Sequence, residues 1–319
     1  MGNYSITFPP FPKRSLLSDI VFVLTQNILP IFIVASFGFA LQRWLGVEKR
    51  PLSTIVLNVL SPCLVFSSLV SSQLPGEELV ELALFAVFNV LLMGGVAYIS
   101  ARLLRLGRTE TIALMVVTMF VNGGNYGMTL NQLRYGDPGL GRAVVYYTSS
   151  TIMLYTIGIF LSSMGEMPWR VALRRLLRFP AVYAAVLAIL VYSFSISLPT
   201  PLLRGIEVAG AGAIPVMLLV LGMQLADLKT IASWRLALPA IGLRLVVGPL
   251  LGLLVATLLG LSGLGRATSI IEASMPPAVF TIILATEFEL DPPAVTSIVL
   301  VSTLLSPFTI ATAISLLGL

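Results

Sequence analysis

The chain contains no histidine and a single cysteine, Cys63, and only 10% of its residues are charged. One cysteine cannot form an intramolecular disulfide, and the usual thiolate and imidazole ligand sets for a metal site are lacking. Cys63 itself lies in an apolar stretch, where a free cysteine behaves as a small hydrophobic side chain. Soluble domains average about 25% charged residues, so the shortage of charge argues against a water-soluble protein.

What the sequence has in abundance is apolar residues, which make up 57% of the 319, with a mean hydropathy of +0.99. This length accommodates roughly ten membrane crossings of ~20 residues with short loops, and leaves no room for a soluble catalytic domain. The formal net charge is +5, but the basic residues are scattered through loops rather than clustered on one face. We therefore expect a lipid bilayer and no nucleic acid as the partner.

Hydropathy and loop residues predict an all-α polytopic membrane protein with ten transmembrane helices. The predicted spans 1–10 cover about 19–42, 51–72, 78–101, 109–135, 140–163, 171–196, 202–225, 235–259, 266–286 and 292–317. Continuous helices are expected because backbone polar groups cannot stay unpaired in lipid.

The basic residues indicate the orientation of these spans. Twelve of the 19 lysines and arginines lie in or beside odd-numbered loops, and six lie in the N-terminal tail and even-numbered loops. The positive-inside rule then places the odd loops in the cytoplasm and both termini outside the cell inner (plasma) membrane. Five spans in residues 1–163 and five in residues 170–319 would form two inverted repeats, since an odd number of spans reverses the second half.

Two predicted spans are interrupted at corresponding places. Span 4 contains Asn122-Gly123-Gly124-Asn125-Tyr126-Gly127, and span 9 contains Met275-Pro276-Pro277. Each run is followed by an Asp-Pro pair, at Asp137 and Asp291, and an offset of 154 residues relates both the runs and the pairs. Glycine permits non-helical backbone, and proline removes helix donors. We expect half-helices at 110–121, 126–135 and 277–285.

Broken helices in matching positions of two halves are typical of secondary transporters whose substrate binds where the breaks meet. The amides and the positive dipole at the start of a half-helix suit an anion, and Asn58 lies one turn before Pro62 on span 2. A kink packed by small residues is the structural alternative. The predicted substrate-binding residues are Asn122, Gly123, Gly124, Asn125, Tyr126, Met275, Pro276, Pro277 and Asn58.

Glu272 lies one helical turn before Pro276, inside span 9. An ionisable side chain at that depth costs ~3 kcal/mol or more to insert and is a functional hypothesis by default. It could bind Na⁺ as a carboxylate or carry a proton; neutralisation by Arg244 in span 8 is the alternative, and Arg244 could equally attract an anionic substrate. Glu207 has Arg204 one turn away, which favours an interfacial ion pair. The predicted cation-coupling residues are Glu272, Asn125, Thr118, Ser149 and Thr303, with Glu272 as the sodium ligand.

These motifs resemble those of the auxin efflux carrier family in its short bacterial form. The resemblance rests on Val121-Asn122-Gly123-Gly124-Asn125-Tyr126-Gly127, Met275-Pro276-Pro277-Ala278-Val279 and Leu290-Asp291-Pro292, and covers essentially the whole chain. It implies a scaffold domain of spans 1, 2, 6 and 7 and a transport domain of spans 3–5 and 8–10, with helices 4 and 9 crossing at the substrate site. Relatives also imply a homodimer through the scaffold domain.

The implied fold is similar to that of the sodium-coupled bile acid symporters. There a glutamate shortly before the break in span 9 contributes to sodium binding, and an asparagine at the break in span 4 assists; Glu272 and Asn125 occupy similar places. Plant auxin exporters have a glutamine where Glu272 stands and are not thought to need sodium, so this chain departs from them toward the cation-coupled pattern. Bacterial members are associated with small organic anions such as malate and malonate.

Together these features predict a secondary active transporter of a small carboxylate-bearing organic anion. We expect it to work by alternating access, coupled to Na⁺ or H⁺ through Glu272, and to need no cofactor. The alternative within transport is an uncoupled uniporter of organic acids. An intramembrane enzyme and a non-transporting membrane sensor are the alternatives from other classes; the sequence offers an enzyme no histidine and no paired aspartates inside spans.

Overall fold

The computed structural model describes residues 16–72, 74–163, 179–194, 196–226 and 233–319. The N-terminal tail and the predicted start of the second half at residue 170 lie outside the described residues. So do seven of the basic residues used to predict orientation, which are Lys13, Arg14, Arg170, Arg174, Arg175, Arg178 and Lys229.

The described residues form helices joined by short connections. In chain order they are α1 (Leu16–Leu45), α2 (Lys49–Ser71), α3 (Gly76–Leu103), α4 (Arg108–Met119), α5 (Gly123–Ser162), α6 (Pro180–Ser193), α7 (Thr200–Leu225), α8 (Trp234–Leu258), α9 (Gly263–Ala273), α10 (Phe280–Glu287) and α11 (Pro292–Leu317). Seven of these, α1, α2, α3, α5, α7, α8 and α11, are long and apolar enough to cross a membrane. The all-α polytopic class is confirmed for the described residues, and the ten crossings in two inverted repeats stay a prediction.

Local sequence determines several helix ends. α1 ends at Gly46, whose φ of +63° is the left-handed conformation that glycine adopts without strain. α11 begins after Asp291, whose carboxylate accepts a hydrogen bond from the Ala294 N–H at 3.3 Å. Gly136, with φ +66° and ψ −157°, forms a corner inside α5 and divides it into a first arm (residues 123–135) and a second arm (residues 137–162). The single residue Gly136 therefore joins predicted spans 4 and 5. The helix can restart directly after it because Pro138 suits the first turn of a helix.

The outward faces of the helices are apolar. Phe37, Leu254 and Phe308 are each about half exposed or more (59%, 48% and 63%) although they lie in the middle of apolar helices. In water such a surface would drive aggregation, whereas in a bilayer it is in contact with lipid. The exposed faces therefore agree with the membrane environment that composition predicts.

The helices pack in two groups. In the first group α1 packs on α7, and α2 packs on both α6 and α7. In the second group α3 packs on α4, α5 and α8, α9 packs on α5 and α8, and α11 packs on α8 and α10. The groups meet where α2 contacts α5 and where α1 contacts α11.

Close approach of α1 and α7 depends on two glycines, and this gives a stability prediction. A Cβ atom on Gly38 would collide with the Leu219 carbonyl, and one on Gly222 with the Ala35 carbonyl. Backbone cannot move aside as a flexible side chain can, so Gly222→Ala should separate the two helices. We expect the unfolding midpoint of the purified protein in detergent to fall by at least about 5 °C.

Gly95→Ala is the matched control, because nothing lies within 4 Å of a Cβ atom at that position of α3. Its unfolding midpoint should equal that of the unmodified protein. Equal midpoints for Gly222→Ala and Gly95→Ala would contradict the close packing of α1 on α7.

Candidate functional site

The two breaks meet as a short antiparallel pair of extended segments. Val121 pairs with Pro277. The Asn122 N–H donates to the Pro276 carbonyl, and the Ala278 N–H donates to the Phe120 carbonyl, both at 2.8 Å. Each bond is the counterpart of the other under a local twofold that exchanges the two breaks. The backbone of the two interrupted segments is therefore joined at one point, which we call the crossing.

Proline at position 276 has a specific consequence in this pair. A residue directly opposite Asn122 would normally donate its N–H to the Asn122 carbonyl, and proline has none. The Asn122 carbonyl instead accepts hydrogen bonds from the N–H groups of Gly127 (3.0 Å) and Tyr126 (3.3 Å), which start α5. Pro277 occupies the non-hydrogen-bonded position of the pair, where a missing donor costs nothing.

The breaks differ from the predicted positions. α4 ends at Met119 and not at residue 121, and only residues 120–122 are non-helical, so the glycines lie inside a π-helical start of α5 (Gly123–Met128). The prediction of a half-helix from residue 277 is also wrong, since α10 begins at Phe280. The physical reason is that pairing across the crossing, rather than glycine content, keeps these residues extended.

The offset between the halves also changes at the crossing. The ends of α4 and α9, at Met119 and Ala273, keep the predicted spacing of 154 residues. The paired residues Val121 and Pro277 are 156 apart. Two additional residues therefore separate the helix end from the crossing in the second half, which single-offset matching of the sequence could not detect.

Five backbone N–H groups beside the crossing donate to no acceptor in the described part of the chain. Three belong to the start of α5, at Gly123, Gly124 and Asn125, and two to the start of α10, at Val279 and Phe280. Such N–H groups point along the helix axis and carry the positive end of the helix dipole. The positive ends of the α5 and α10 dipoles therefore lie side by side at the crossing.

A cavity of about 160 Å³, which we call the central cavity, borders both helix ends. Gly124 and Asn125 of α5 line it together with Val279 and Phe280 of α10. Lysine, arginine, aspartate and glutamate are absent from its lining within the described residues. The polar residues that line it are Ser53, Asn122, Asn125, Tyr147, Ser150, Thr151, Tyr155 and Gln224.

A second cavity, of about 360 Å³, is lined by residues of α2, α5 and α7. The central cavity contacts residues 53–57 of α2 and 217–224 of α7, whereas the second cavity contacts residues 64–71 of α2 and 207–211 of α7. The two cavities therefore lie at opposite ends of the boundary between α2, α7 and α5. Glu207 and Asp137 line the second cavity, and Glu207 is exposed there.

Glu272 is fully buried on the opposite face of α5 from Asn125. Its Oε1 accepts a hydrogen bond from Asn131 Nδ2 at 3.0 Å, and the same Nδ2 group also donates to the Gly127 carbonyl at 3.1 Å. A Cβ atom on Gly123 would lie 2.7 Å from Glu272 Oε2, so the carboxyl group packs directly on the glycine backbone. Glu272 Oε2 and Asn131 Oδ1 are buried without a hydrogen-bond partner among the described residues.

Arg244, on α8, is also fully buried but binds backbone and not Glu272. Its Nη1 group donates to the Thr118 carbonyl at 2.8 Å, and its Nη2 group donates to the Ala273 carbonyl. These carbonyls belong to the last turns of α4 and α9. Arg244 and Glu272 therefore do not form a direct ion pair in the described part of the chain.

Several of the predicted substrate-binding residues lie away from the central cavity. Met275 and Tyr126 are buried in the apolar core, where the Tyr126 ring meets Phe32 edge-on at 6.0 Å between centroids. Asn58 is exposed on α2, and its Nδ2 group donates to the Thr54 carbonyl at 2.8 Å. Gly123 is the first residue of α5, and Pro276 and Pro277 belong to the paired segment at the crossing. None of these three residues lines the cavity. Their assignment as substrate ligands stays a prediction.

The remaining predicted cation-coupling residues are dispersed. The hydroxyl groups of Thr118 and Thr303 each donate at 2.7 Å to a carbonyl of their own helix. Ser149 is half-buried on α5, next to Ser150, which does line the central cavity. Their role in coupling stays a prediction too.

Sequence reasoning missed Asn131 and Gln224. Asn131 lies four residues after Gly127, which puts both on one helical face, and this spacing was the signal that could have associated it with the break. Gln224, near the end of α7, lines the central cavity from the other helix group. Only the fold reveals it, because nothing local distinguishes it from other polar residues at helix ends.

Among the described residues, seven helices are long and apolar enough to cross a membrane, and two cavities lie between the packed helix groups. This architecture is that of a polytopic membrane protein, and comparison with known proteins gives its class. The sequence profile of the family described as membrane transport protein matches residues 23–169 and 166–314. The chain belongs to this family, which includes the auxin efflux carriers.

Two archaeal proteins are similar along nearly their whole length. An uncharacterised transporter of Methanothermobacter thermautotrophicus is 31% identical over 289 residues, which cover 88% of this chain and 94% of the relative. An uncharacterised transporter of Methanocaldococcus jannaschii is 24% identical over 303 residues, covering 92% and 96%. The resemblance to the auxin efflux carrier family is thereby confirmed.

Proposed function

We propose that the protein is a secondary carrier that moves a small carboxylate-bearing organic anion by alternating access. The observation that carries this proposal is that free amides from two half-helices border one cavity that has no charged side chain in its described lining. Oriented amides and positive helix ends stabilise a carboxylate directly. Asn122 and Asn125 add side-chain amides on the same wall.

In this proposal α1, α2, α6 and α7 form the scaffold, and α3–α5 with α8–α11 form the transport domain. The two packed groups of helices support this division. The central and second cavities lie at opposite ends of the boundary, so sliding of one group on the other would close one cavity and open its counterpart. With the predicted orientation, Ser53, Phe179 and Gln224 place the central cavity near the cytoplasm, and the second cavity lies toward the outside.

Glu272 is the group to which we assign ion coupling. Its free Oε2 atom and the Asn131 Oδ1 atom are buried oxygens that lack a donor. Burying an unpaired carboxylate is costly, so a sodium ion held by these oxygens or a proton on the carboxyl group would stabilise this region. Either one removes the buried negative charge before the transport domain moves.

Transport by reconstituted protein tests the proposed function. We would measure uptake of radiolabelled malonate, malate and indole-acetate into liposomes, with and without a sodium gradient and with and without a pH gradient. The proposal expects uptake of at least one of these carboxylates above that of empty liposomes, with dependence on one gradient. Uptake that is driven by membrane voltage alone would favour the uncoupled uniporter, and uptake of none of the three would contradict the substrate class.

Asn125→Ala tests the binding wall of the central cavity. Asn125 lines the cavity, and its side chain has no protein partner among the described residues, so it is available to a ligand. Losing one hydrogen bond to a charged group costs about 1.5–3 kcal/mol, which raises the dissociation constant of the carboxylate roughly ten- to hundredfold. The measurement is thermal stabilisation of the purified variant by the carboxylate that is transported.

Asn58→Ala is the matched control. The sequence predicts Asn58 as a substrate ligand, but it is exposed on a neighbouring helix outside the central cavity, so the proposed binding wall does not include it. Its carboxylate affinity should be unchanged. A folded Asn125→Ala protein with the affinity of the unmodified protein would remove Asn125 from the site.

A further inference from the structure

The guanidinium group of Arg244 joins the carboxyl-terminal ends of two half-helices. It donates to Thr118 in the last turn of α4 and to Ala273 at the end of α9. The last carbonyls of a helix lack intrahelical donors and carry the negative end of the dipole. Both negative ends are buried beside the crossing, and α8 supplies a single positive group to both of them.

The side chain is accommodated by a glycine one turn later on α8. A Cβ atom on Gly248 would lie 2.9 Å from Arg244 Cζ and 3.1 Å from the Ala273 carbonyl oxygen. The guanidinium group therefore fills a space that is bounded by Gly248, α4 and α9. The Arg244 Nε group has no acceptor among the described residues. The guanidinium group therefore makes its hydrogen bonds in this space to the two helix ends, through Nη1 and Nη2.

Carbonyls at the ends of broken helices are also the groups that coordinate coupling cations in other carriers. We infer that Arg244 is a built-in cation, which occupies the place between the negative ends of α4 and α9 that a bound metal ion would otherwise have to fill. It holds both half-helices at the crossing as a positioning residue. The inference depends on the geometry of the crossing and not on the identity of the transported anion.

A consequence concerns the ion that Glu272 is proposed to carry. The charge of Arg244 is permanent, because a guanidinium group is not deprotonated in proteins. The crossing is then stabilised in every step of a cycle, whatever occupies Glu272. The exchangeable charge is left to the Glu272 and Asn131 oxygens on the other face of α5.

Chemical rescue tests this inference on the purified full-length protein in detergent. Arg244→Ala removes the cation and leaves a space that methylguanidinium fits. We expect its unfolding midpoint to fall by at least about 5 °C and to recover in millimolar methylguanidinium chloride, with choline chloride at the same ionic strength having no effect. The unmodified protein should show no stabilisation by methylguanidinium. Failure of methylguanidinium to restore a folded Arg244→Ala protein, or equal recovery in choline, would overturn the inference.

Two further variants separate charge from hydrogen bonding. Lysine keeps the positive charge with a different shape, whereas glutamine keeps two donors and has no charge. We expect Arg244→Lys to lie closer to the unmodified protein in unfolding midpoint than Arg244→Gln. The opposite order, or equal midpoints, would show that donors alone suffice and would overturn the role of a cation.

A perturbation that leaves Arg244 in place covers the case in which Arg244→Ala does not fold. Gly248→Ala should displace the guanidinium group and lower the unfolding midpoint. Gly242→Ala on the same helix is the control, since nothing lies within 4 Å of a Cβ atom there. Identical midpoints for these two variants would overturn the inference. None of these measurements uses a transport substrate, so a failure here is distinct from a failure of the proposed transport function.

Discussion

Transport by the Glu272→Gln protein is expected to lose its dependence on sodium ions or pH while the protein remains folded. Glutamine keeps the size of the side chain, and its carbonyl oxygen can still accept from Asn131, but the amide carries no negative charge and does not bind or release a proton near neutral pH. We expect the affinity for the coupling ion to fall at least about tenfold, which corresponds to about 1.4 kcal/mol. Uptake into liposomes with and without each ion gradient measures the effect.

Glu81→Gln is the control for removing an acid, since Glu81 is exposed on α3. Its ion dependence should equal that of the unmodified protein. Gly127→Ala perturbs the same site without removing the acid, because a Cβ atom there would lie only 2.6 Å from Glu272 Oε1 and displace the carboxyl group. Reconstituted Glu272→Gln that keeps the ion dependence of the unmodified protein would exclude Glu272 as the coupling group.

The Asn122→Pro substitution is expected to disconnect the crossing. It removes the N–H group that donates to the Pro276 carbonyl at 2.8 Å, and leaves that buried carbonyl without a donor. Losing a buried hydrogen bond in this way costs about 1–3 kcal/mol, and the Asn122 side chain is lost from the cavity as well. We expect a clearly lower unfolding midpoint and loss of carboxylate uptake, measured against Asn122→Ala, which keeps the N–H group.

Val121→Pro is the discriminating control for this prediction. Val121 occupies the non-hydrogen-bonded position opposite Pro277, and its N–H group donates to no acceptor in the described part of the chain. The preceding residue, Phe120, has the extended conformation (φ −107°, ψ 121°) that proline requires before it. Proline should therefore cost less stability at 121 than at 122. If Val121→Pro destabilises the protein as much as Asn122→Pro, the observed pairing register is wrong.

The places where prediction from sequence succeeded have local causes. Polar and proline-containing runs inside long apolar segments predicted that spans 4 and 9 are interrupted, to within a few residues of the observed breaks. The signal is local because proline removes helix donors wherever it stands. Glu272 was singled out by its charge in an apolar span, and it is fully buried. The predicted boundary between spans 4 and 5, at residues 135–140, also has a local cause, and the chain turns there at Gly136.

The places where prediction failed depend on contacts between distant segments. The glycines at 123, 124 and 127 start a helix instead of interrupting it, because the pairing of Val121 with Pro277 decides which residues are extended. Arg244 was left between two roles, an ion pair and a substrate contact. Among the described residues it pairs with no carboxylate and does not line the central cavity. Its partners are carbonyls of Thr118 and Ala273, which are invisible in a sequence because every residue has a carbonyl.

By itself the sequence determined that this protein is an all-helical membrane protein with two interrupted helices and one acid buried among apolar residues. Those properties follow from composition and nearest neighbours in the chain. Only the tertiary structure decided that the interruptions pair through their backbones, that Asn125 faces a cavity while Glu272 lies behind α5, and that Arg244 binds two helix ends. Backbone hydrogen bonds and the relative placement of packed helices carry no residue-specific signal, and they are settled when the chain folds.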